Sequence, residues 1–314
     1  MKDRNIDSVH KNEQVRTALL LAAGTGSRLS PLTDETPKCL VSVNEKSILE
    51  RLIDSLQEHN FKRLVVVVGH QADCIRNFLG TRAGGMEITY ITSFLYKTTN
   101  NIYSLWLARK VINEPFLLIE SDLVFDPEML KDMLLPDRIA ISKLQPWMNG
   151  TTVTINNSQK VDAFYDNDTY KNDNNQYKTV NIYSLSTTTW QLVQERLERQ
   201  ISDNMTNGYY ETVFSDMVDE GFLSFTPVFF KKNRWYEIDT IADLRAAEQV
   251  CDVHCHSSVI PIDQRADNPK GLRGVLPSVS KRLTSFNRIK KDPSCHTGIA
   301  KSASMKSASA VPTH

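Results

Sequence analysis

The residues best suited to chemistry stand near the start of the 314-residue chain, in LAAGTGSRLSPLTDETPK, Leu21 to Lys38. Gly24 and Gly26 lack Cβ atoms, so backbone N–H groups there can approach phosphate oxygens, while Ser27, Arg28 and Lys38 add donors and positive charge. The pattern suits a triphosphate. It is not a dinucleotide fingerprint, because G-x-G-x-x-G needs a glycine where Leu29 stands, and the chain has no G-x-x-x-x-G-K-[ST] run. A glycine pair after a strand can be a mere tight turn, but Arg28, Pro31, Leu32, Thr33, Pro37 and Lys38 at set offsets ask for more than a turn.

Two acidic positions come next. FLLIESDLVF, Phe116 to Phe125, reads as a buried strand that delivers Asp122 to its carboxyl end, where open α/β sheets bind ligands. RWYEIDTIADL, Arg234 to Leu244, sets Asp239 just before a helix. A lone Asp at such places is commonly a helix cap or a turn residue. In the second half Trp147, Tyr209, Tyr210 and Trp235, with Glu211, offer aromatic faces and a carboxylate of the kind an ammonium group needs; the competing reading is that these rings fill the core.

Elements must hold these residues. TALLLAA (Thr17 to Ala23) and LVVVVG (Leu64 to Gly69) read as strands buried on both faces, and strands are expected at 87–92, 116–120 and 139–142. Helices are expected at 48–59, up to about 79, and near 102–111. This alternation implies a mainly parallel sheet with helices on both sides. Past Lys143 short strands and Asn/Asp-rich turns take over, and DNDTYKNDNNQ (Asp166 to Gln176) reads as a hairpin loop. Helices near 188–200 and 209–220, a strand near 223–228 and a helix ending at Val250 complete the folded part.

The formal charge is zero, 37 basic against 37 acidic side chains, which by itself argues against a dedicated nucleic-acid binder. The zero is a sum of unlike pieces: residues 251–314 hold 10 Lys/Arg and 4 Asp/Glu. That stretch is rich in Ser, Pro, Lys and Arg with one aromatic, Phe286, and its composition predicts a basic tail unable to build a core of its own. Its Cys251, His254, Cys255 and His256 match no standard zinc spacing. Five cysteines, an odd number, read as reduced thiols, and a polar opening of sixteen residues without an apolar run of membrane length makes the cytoplasm the expected compartment.

The motif Gly-x-Gly-[Ser/Thr]-Arg-Leu-x-Pro-Leu-Thr-x-x-x-Pro-Lys resembles that of the nucleoside-diphosphate-sugar pyrophosphorylase-like nucleotidyltransferases. TTNNIYSLWLA (98–108), QPWMNGTTVTI (145–155), KTVNIYSLS (178–186) and GYYETVFSDMVDEG (208–221) further resemble bacterial CTP:phosphocholine and 2-aminoethylphosphonate cytidylyltransferases, over about residues 17–250. Asn149 stands where such relatives commonly carry Asp, and no Glu-Lys-Pro element or glycine-rich sugar loop of hexose 1-phosphate transferases is evident.

The resemblance implies a Rossmann-like three-layer α/β fold with a mixed, mainly parallel sheet and a small acceptor-binding insertion, spanning 17–250 after a polar extension at 1–16. It implies a nucleotide held by Leu21, Ala22, Ala23, Gly24, Gly26, Ser27 and Gln71, and catalysis by Lys38 and Arg28. It also implies Mg²⁺ on Asp122 and Asp239, and an acceptor among Asn101, Trp147, Tyr210, Glu211 and Trp235, with Tyr103 helping to order that side. The expected reaction passes CMP from CTP to a small phosphorylated amine or phosphonate. A sugar-1-phosphate transferase and a non-catalytic nucleotide-binding regulator are the rival readings, with no specific nucleic acid and no membrane span in any of them.

Overall fold

The computed structural model describes residues 14–145, 148–166 and 175–255, the last six of these by backbone alone. Strand β1 (Thr17–Ala22) is buried along its whole length at the centre of a ten-stranded sheet. It is flanked on one side by β4 (Arg63–Val68) and on the other by β7 (Phe116–Glu120), both parallel to it, with Leu20 opposite Val66 and Ile119. Beyond β4 lie β6 (Met86–Thr92), parallel, and the short β5 (Arg82–Ala83). Beyond β7 comes the ten-residue antiparallel strand β12 (Gln176–Leu185), which also pairs with β9 (Arg138–Lys143) and β10 (Thr152–Ile155). β13 (Thr226–Phe230) runs parallel to β9, and β11 (Val161–Tyr165) antiparallel to β10. The sheet is therefore mixed, with β1, β4, β6, β7, β9, β10 and β13 all pointing one way.

Side chains that alternate along β1 separate the two main cores. Ala18, Leu20 and Ala22 face the layer of α1 (Ile48–Glu58) and α2 (Ala72–Leu79). Leu19, Leu21 and Ala23 face α3 (Asn101–Ala108), α4 (Thr187–Ser202) and α5 (Tyr210–Asp219). Local signals start the helices: Ser47 and Glu50 form a reciprocal capping box on α1, Asn100 caps α3 and Ser186 caps α4.

Two small sheets stand apart, β2 (Ser42–Val43) with β3 (Lys46–Ser47), and β8 (Leu123–Phe125) with β14 (Trp235–Glu237). A third apolar cluster joins them to α6 (Ile241–Cys255): Leu29, Val41, Val43, Val124, Ile238, Leu244 and Ala247 pack together. Its members sit one to three residues from Arg28, Lys38, Asp122 and Asp239, so a single core anchors all four chemical positions. Burying one such Leu or Ile contributes about 2 kcal/mol, which is ample to hold a loop in register.

Three expectations are corrected. α6 continues to Cys255, five residues past Val250. The strand expected near 223–228 begins at Thr226, because Leu223 and Phe225 instead turn into the core beneath α5. The strands on either side of Asp166 to Gln176 are not a hairpin: β10 lies between β11 and β12, and its pairing satisfies the edges each would have offered the other. Residues 167–174 of that loop lie outside the described residues, as do residues 1–13 and the basic tail from 256 on. No side chain of Cys251, His254 or Cys255 is described, and His256 lies beyond; Cys39 is a buried free thiol.

Candidate active site

At the carboxyl ends of β1 and β7 the chain opens a cleft of about 330 Å³. Its floor is the turn after β1. Gly26 adopts φ 63°, ψ 26°, a left-handed conformation that costs a Cβ-bearing residue about 1 kcal/mol or more. A Cβ there would also meet Lys38 Cβ at 3.0 Å and Thr33 Cγ2 at 3.2 Å. Thr33 donates its hydroxyl to the Gly26 carbonyl (2.8 Å), and Leu29 is fully buried, so the turn is pinned from both sides. Gly69, after β4, matters for a different reason: its Cα passes so close to the Ala23 carbonyl that a Cβ would lie 2.7 Å from that oxygen.

Lys38 opens the short helical turn after Pro37, and its ammonium reaches Asp122 Oδ2 at 2.8 Å and Asp239 Oδ1 at 2.7 Å. Arg28 donates to the same Asp239 oxygen at 2.8 Å from a largely exposed position. Burial works against the Lys38 charge, but the two carboxylates outweigh it and hold its pKa above the ordinary lysine value. Asp122 and Asp239, 117 residues apart, meet because β8 and β14 pair, Leu123 opposite Glu237, and because Ile238 N–H donates to the Asp122 carbonyl. Helix capping falls to Thr240, not Asp239: Thr240 Oγ1 accepts from Asp243 N–H, and Asp243 accepts back from Thr240 N–H. Asp239 is thereby left to face the cleft.

The two carboxylates fit a hard divalent cation. Two of their oxygens already lie within 2.8 Å of one positive atom, and Asp122 Oδ1 is buried without a hydrogen-bond partner. Among the described residues no cluster of three or more His, Cys, Asp and Glu side chains is placed to hold a metal. Two carboxylates completed by substrate phosphates is the usual arrangement for Mg²⁺.

Leu21, Ala23, Gly24, Gly26 and Ser27 line the cleft, together with Asn101, which was expected on the acceptor side. Ala22 turns into the opposite core, and Gln71 lies outside the cleft lining, its amide donating to the Asp34 carbonyl. Glu120 and Ser121 line the cleft and were missed by sequence reasoning, as was Tyr96. Glu120 is the last residue of β7 and Asp122 stands in the turn that follows, so their closeness in sequence was the available signal.

Behind the cleft two of the expected acceptor residues, Tyr210 and Glu211, are buried in a polar cluster that Asn101 joins from the cleft wall. Tyr210 is fully buried, its ring packed against Tyr183 and Phe214, so it is core rather than an open aromatic wall. Its hydroxyl donates to Glu120 Oε1 at 2.9 Å, Asn101 donates to the same oxygen at 3.0 Å, and Tyr210 N–H donates to Asn101 Oδ1. Burial pushes the Glu120 carboxyl well above its usual range, and Asp122, Glu211 and Glu237 add to the effect. Burial likewise pushes Glu211 up to about 7, with Lys178 among the groups that restrain the rise, and Glu211 Oε2 has no hydrogen-bond partner. Lys178, itself buried, reaches Glu237 Oε2 at 3.5 Å.

A second cleft of about 180 Å³ shares Arg28 and Asp239 with the first and is lined by Met148, Asn149, Lys178, Trp235 and Glu237. Trp235 therefore sits on this side while Asn101 sits on the other. Tyr103 stacks beside Trp106 on α3, and Trp147 lies outside the described residues.

A central parallel sheet with a cation-bearing glycine turn and paired carboxylates at its carboxyl edge is an arrangement suited to the phosphates of a nucleotide. Residues 17–142 match the model of the family described as nucleotidyl transferase. It is 30% identical over 247 residues to the CMP-5'-(3-aminopropyl)phosphonate synthase of Streptomyces rubellomurinus, covering 74% of this chain and 38% of that one. It is 35% identical over 112 residues to a UTP–glucose-1-phosphate uridylyltransferase of Haloferax volcanii, covering 36% of this chain and 45% of the other. The chain thus spans less than half the length of either of these curated relatives. The solved CTP:phosphocholine cytidylyltransferase from Streptococcus pneumoniae shares the fold, with a TM-score of 0.63, 23% identity, and coverage of 76% of this chain and 99% of that one.

Proposed function

We propose that the protein transfers the CMP moiety of CTP to the phosphate or phosphonate of a small amine-bearing acceptor and releases pyrophosphate. The observation that carries the reading is the convergence of Arg28, Lys38, Asp122 and Asp239 where the two clefts meet. The first cleft, floored by the glycine turn, suits the nucleotide, and the second suits the acceptor. The aminopropylphosphonate-using relative supports an aminated, phosphonate-type acceptor.

Mg²⁺ held by Asp122 and Asp239 would supply charge neutralisation at the triphosphate. An acceptor oxygen attacks the α-phosphorus; the bond from that phosphorus to the α,β-bridging oxygen breaks, and the electron pair departs on pyrophosphate. The acceptor oxygen is already ionised near neutral pH, so no general base is needed. Lys38 and Arg28 orient the phosphates and offset the charge that develops, and the buried third core keeps both aligned. Glu237, which lines the second cleft beside the buried Lys178, offers a carboxylate to an acceptor ammonium there.

The test is pyrophosphate release, with CTP, UTP, dTTP and ATP crossed against aminoalkylphosphonates, phosphocholine and hexose 1-phosphates. Turnover confined to CTP with an aminated acceptor supports the proposal. Turnover with UTP and a hexose phosphate would move the protein to the chemistry of the Haloferax relative, and none with any pair would leave a binding protein. Asp122→Asn is expected to lower the productive rate at least a hundredfold with an unchanged melting curve; near-normal turnover would refute the metal assignment.

A further inference from the structure

The two carboxylate oxygens best placed for a divalent cation are both engaged by one side chain of the protein itself. Lys38 Nζ lies 2.8 Å from Asp122 Oδ2 and 2.7 Å from Asp239 Oδ1, with only 13–15% of any of the three side chains exposed. An ammonium and a divalent cation cannot share these oxygens, because the two like charges would stand within a few ångströms of each other, away from bulk water. The lysine has an alternative. It lines the same cleft as the Gly24–Arg28 turn, where a bound triphosphate presents anionic oxygens to it.

We propose that Lys38 is an internal counter-ion that occupies the metal position until a nucleotide draws its ammonium away, so that metal and nucleotide binding are positively coupled through this one side chain. The inference rests on the nucleotide reading of the cleft and is independent of the acceptor. Coupling of this kind is reciprocal: whatever factor the nucleotide adds to metal affinity, the metal adds to nucleotide affinity. It also keeps the carboxylates neutralised in the free protein. Arg28 pairs with the same Asp239 oxygen from a largely exposed position, so it too leaves that oxygen to a metal, but it does so into bulk water.

The experiment measures Mn²⁺ binding to the nucleotide-free full chain by electron paramagnetic resonance. Lys38→Met keeps most of the length of the side chain and removes the charge; it should bind Mn²⁺ at least tenfold more tightly than the unmodified protein. Lys38→Arg should stay weak, and Lys38→Met combined with Asp122→Asn should lose the gain. Unchanged or weaker binding by Lys38→Met overturns the proposal.

A second measurement needs no variant. Acetylation of Lys38 by an N-hydroxysuccinimide ester, followed by peptide mass spectrometry, should be slow in the free protein, faster with Mn²⁺ alone, and slow again with Mn²⁺ and CTP. An acetylation rate indifferent to Mn²⁺ refutes the displacement. Neither measurement involves turnover or an acceptor, so their failure is distinguishable from a failure of the proposed activity.

Discussion

Glu211→Gln removes a carboxylate that is 7% exposed and whose Oε2 has no hydrogen-bond partner. Burial raises its pKa from 4.5 to about 7 in the folded protein. A carboxyl group with a raised folded pKa stabilises the fold most below its unfolded value, and that contribution is lost as pH climbs through the folded one. The gap between 4.5 and about 7 corresponds to about 3 kcal/mol at 1.36 kcal/mol per pKa unit. The Gln variant, which carries no such charge, should match the wild type near pH 4 and exceed its stability by about 3 kcal/mol at pH 8. Urea denaturation of both proteins at pH 4, 6 and 8 reads this difference directly. A gap that does not change with pH would refute the reasoning, because it would mean that Glu211 ionises alike in the folded and unfolded chains. In the same variant the KM for an aminated acceptor should rise at least tenfold if the carboxylate meets the ammonium.

Gly69→Ala forces a Cβ to within 2.7 Å of the Ala23 carbonyl and 2.8 Å of Tyr96 Cβ, so backbone must move; a loss of about 1–3 kcal/mol and at least tenfold weaker CTP binding by calorimetry are expected. Tyr210→Phe deletes one hydrogen bond to Glu120 while Asn101 keeps the other, which predicts a loss of about 1 kcal/mol in a denaturant titration. Thr240→Ala removes the cap of α6 without touching Asp239, and should cost about 1 kcal/mol in thermal unfolding while leaving nucleotide affinity within twofold.

Much of the scaffold was legible because its signals are local. The β-branched run at Leu64 to Gly69 and the apolar spacing at 48–59 each fall within one or two residues of β4 and α1, since burial on both faces, or on one helical stripe, leaves a periodic trace in composition. β14 and β8 left no such trace. Three-residue strands are too short to show a period, yet their pairing is what carries Asp239 to Asp122. The insertion of β10 between β11 and β12 was equally hidden, because strand order is a choice among non-local partners with similar local preferences.

The site divides along the same line. Its glycine turn and its two cations could be named from residue types and offsets, because bare backbone and nearby positive charge suit a phosphate wherever one binds; its two aspartates were singled out only by the resemblance to nucleotidyltransferases. Tyr210 and Glu211 could be named as well, but their roles could not: helix spacing carries Tyr210 into the aromatic core and leaves only its hydroxyl in reach of the cleft. The sequence by itself determined which chemical groups this protein owns and the order in which they occur. Only the tertiary structure decided that Lys38 spans both aspartates, that Thr240 rather than Asp239 caps the helix, and that Glu120 and Glu211 share a buried pocket. Each of these depends on distances between segments far apart in the chain, and such distances are set by how three cores pack rather than by any local preference.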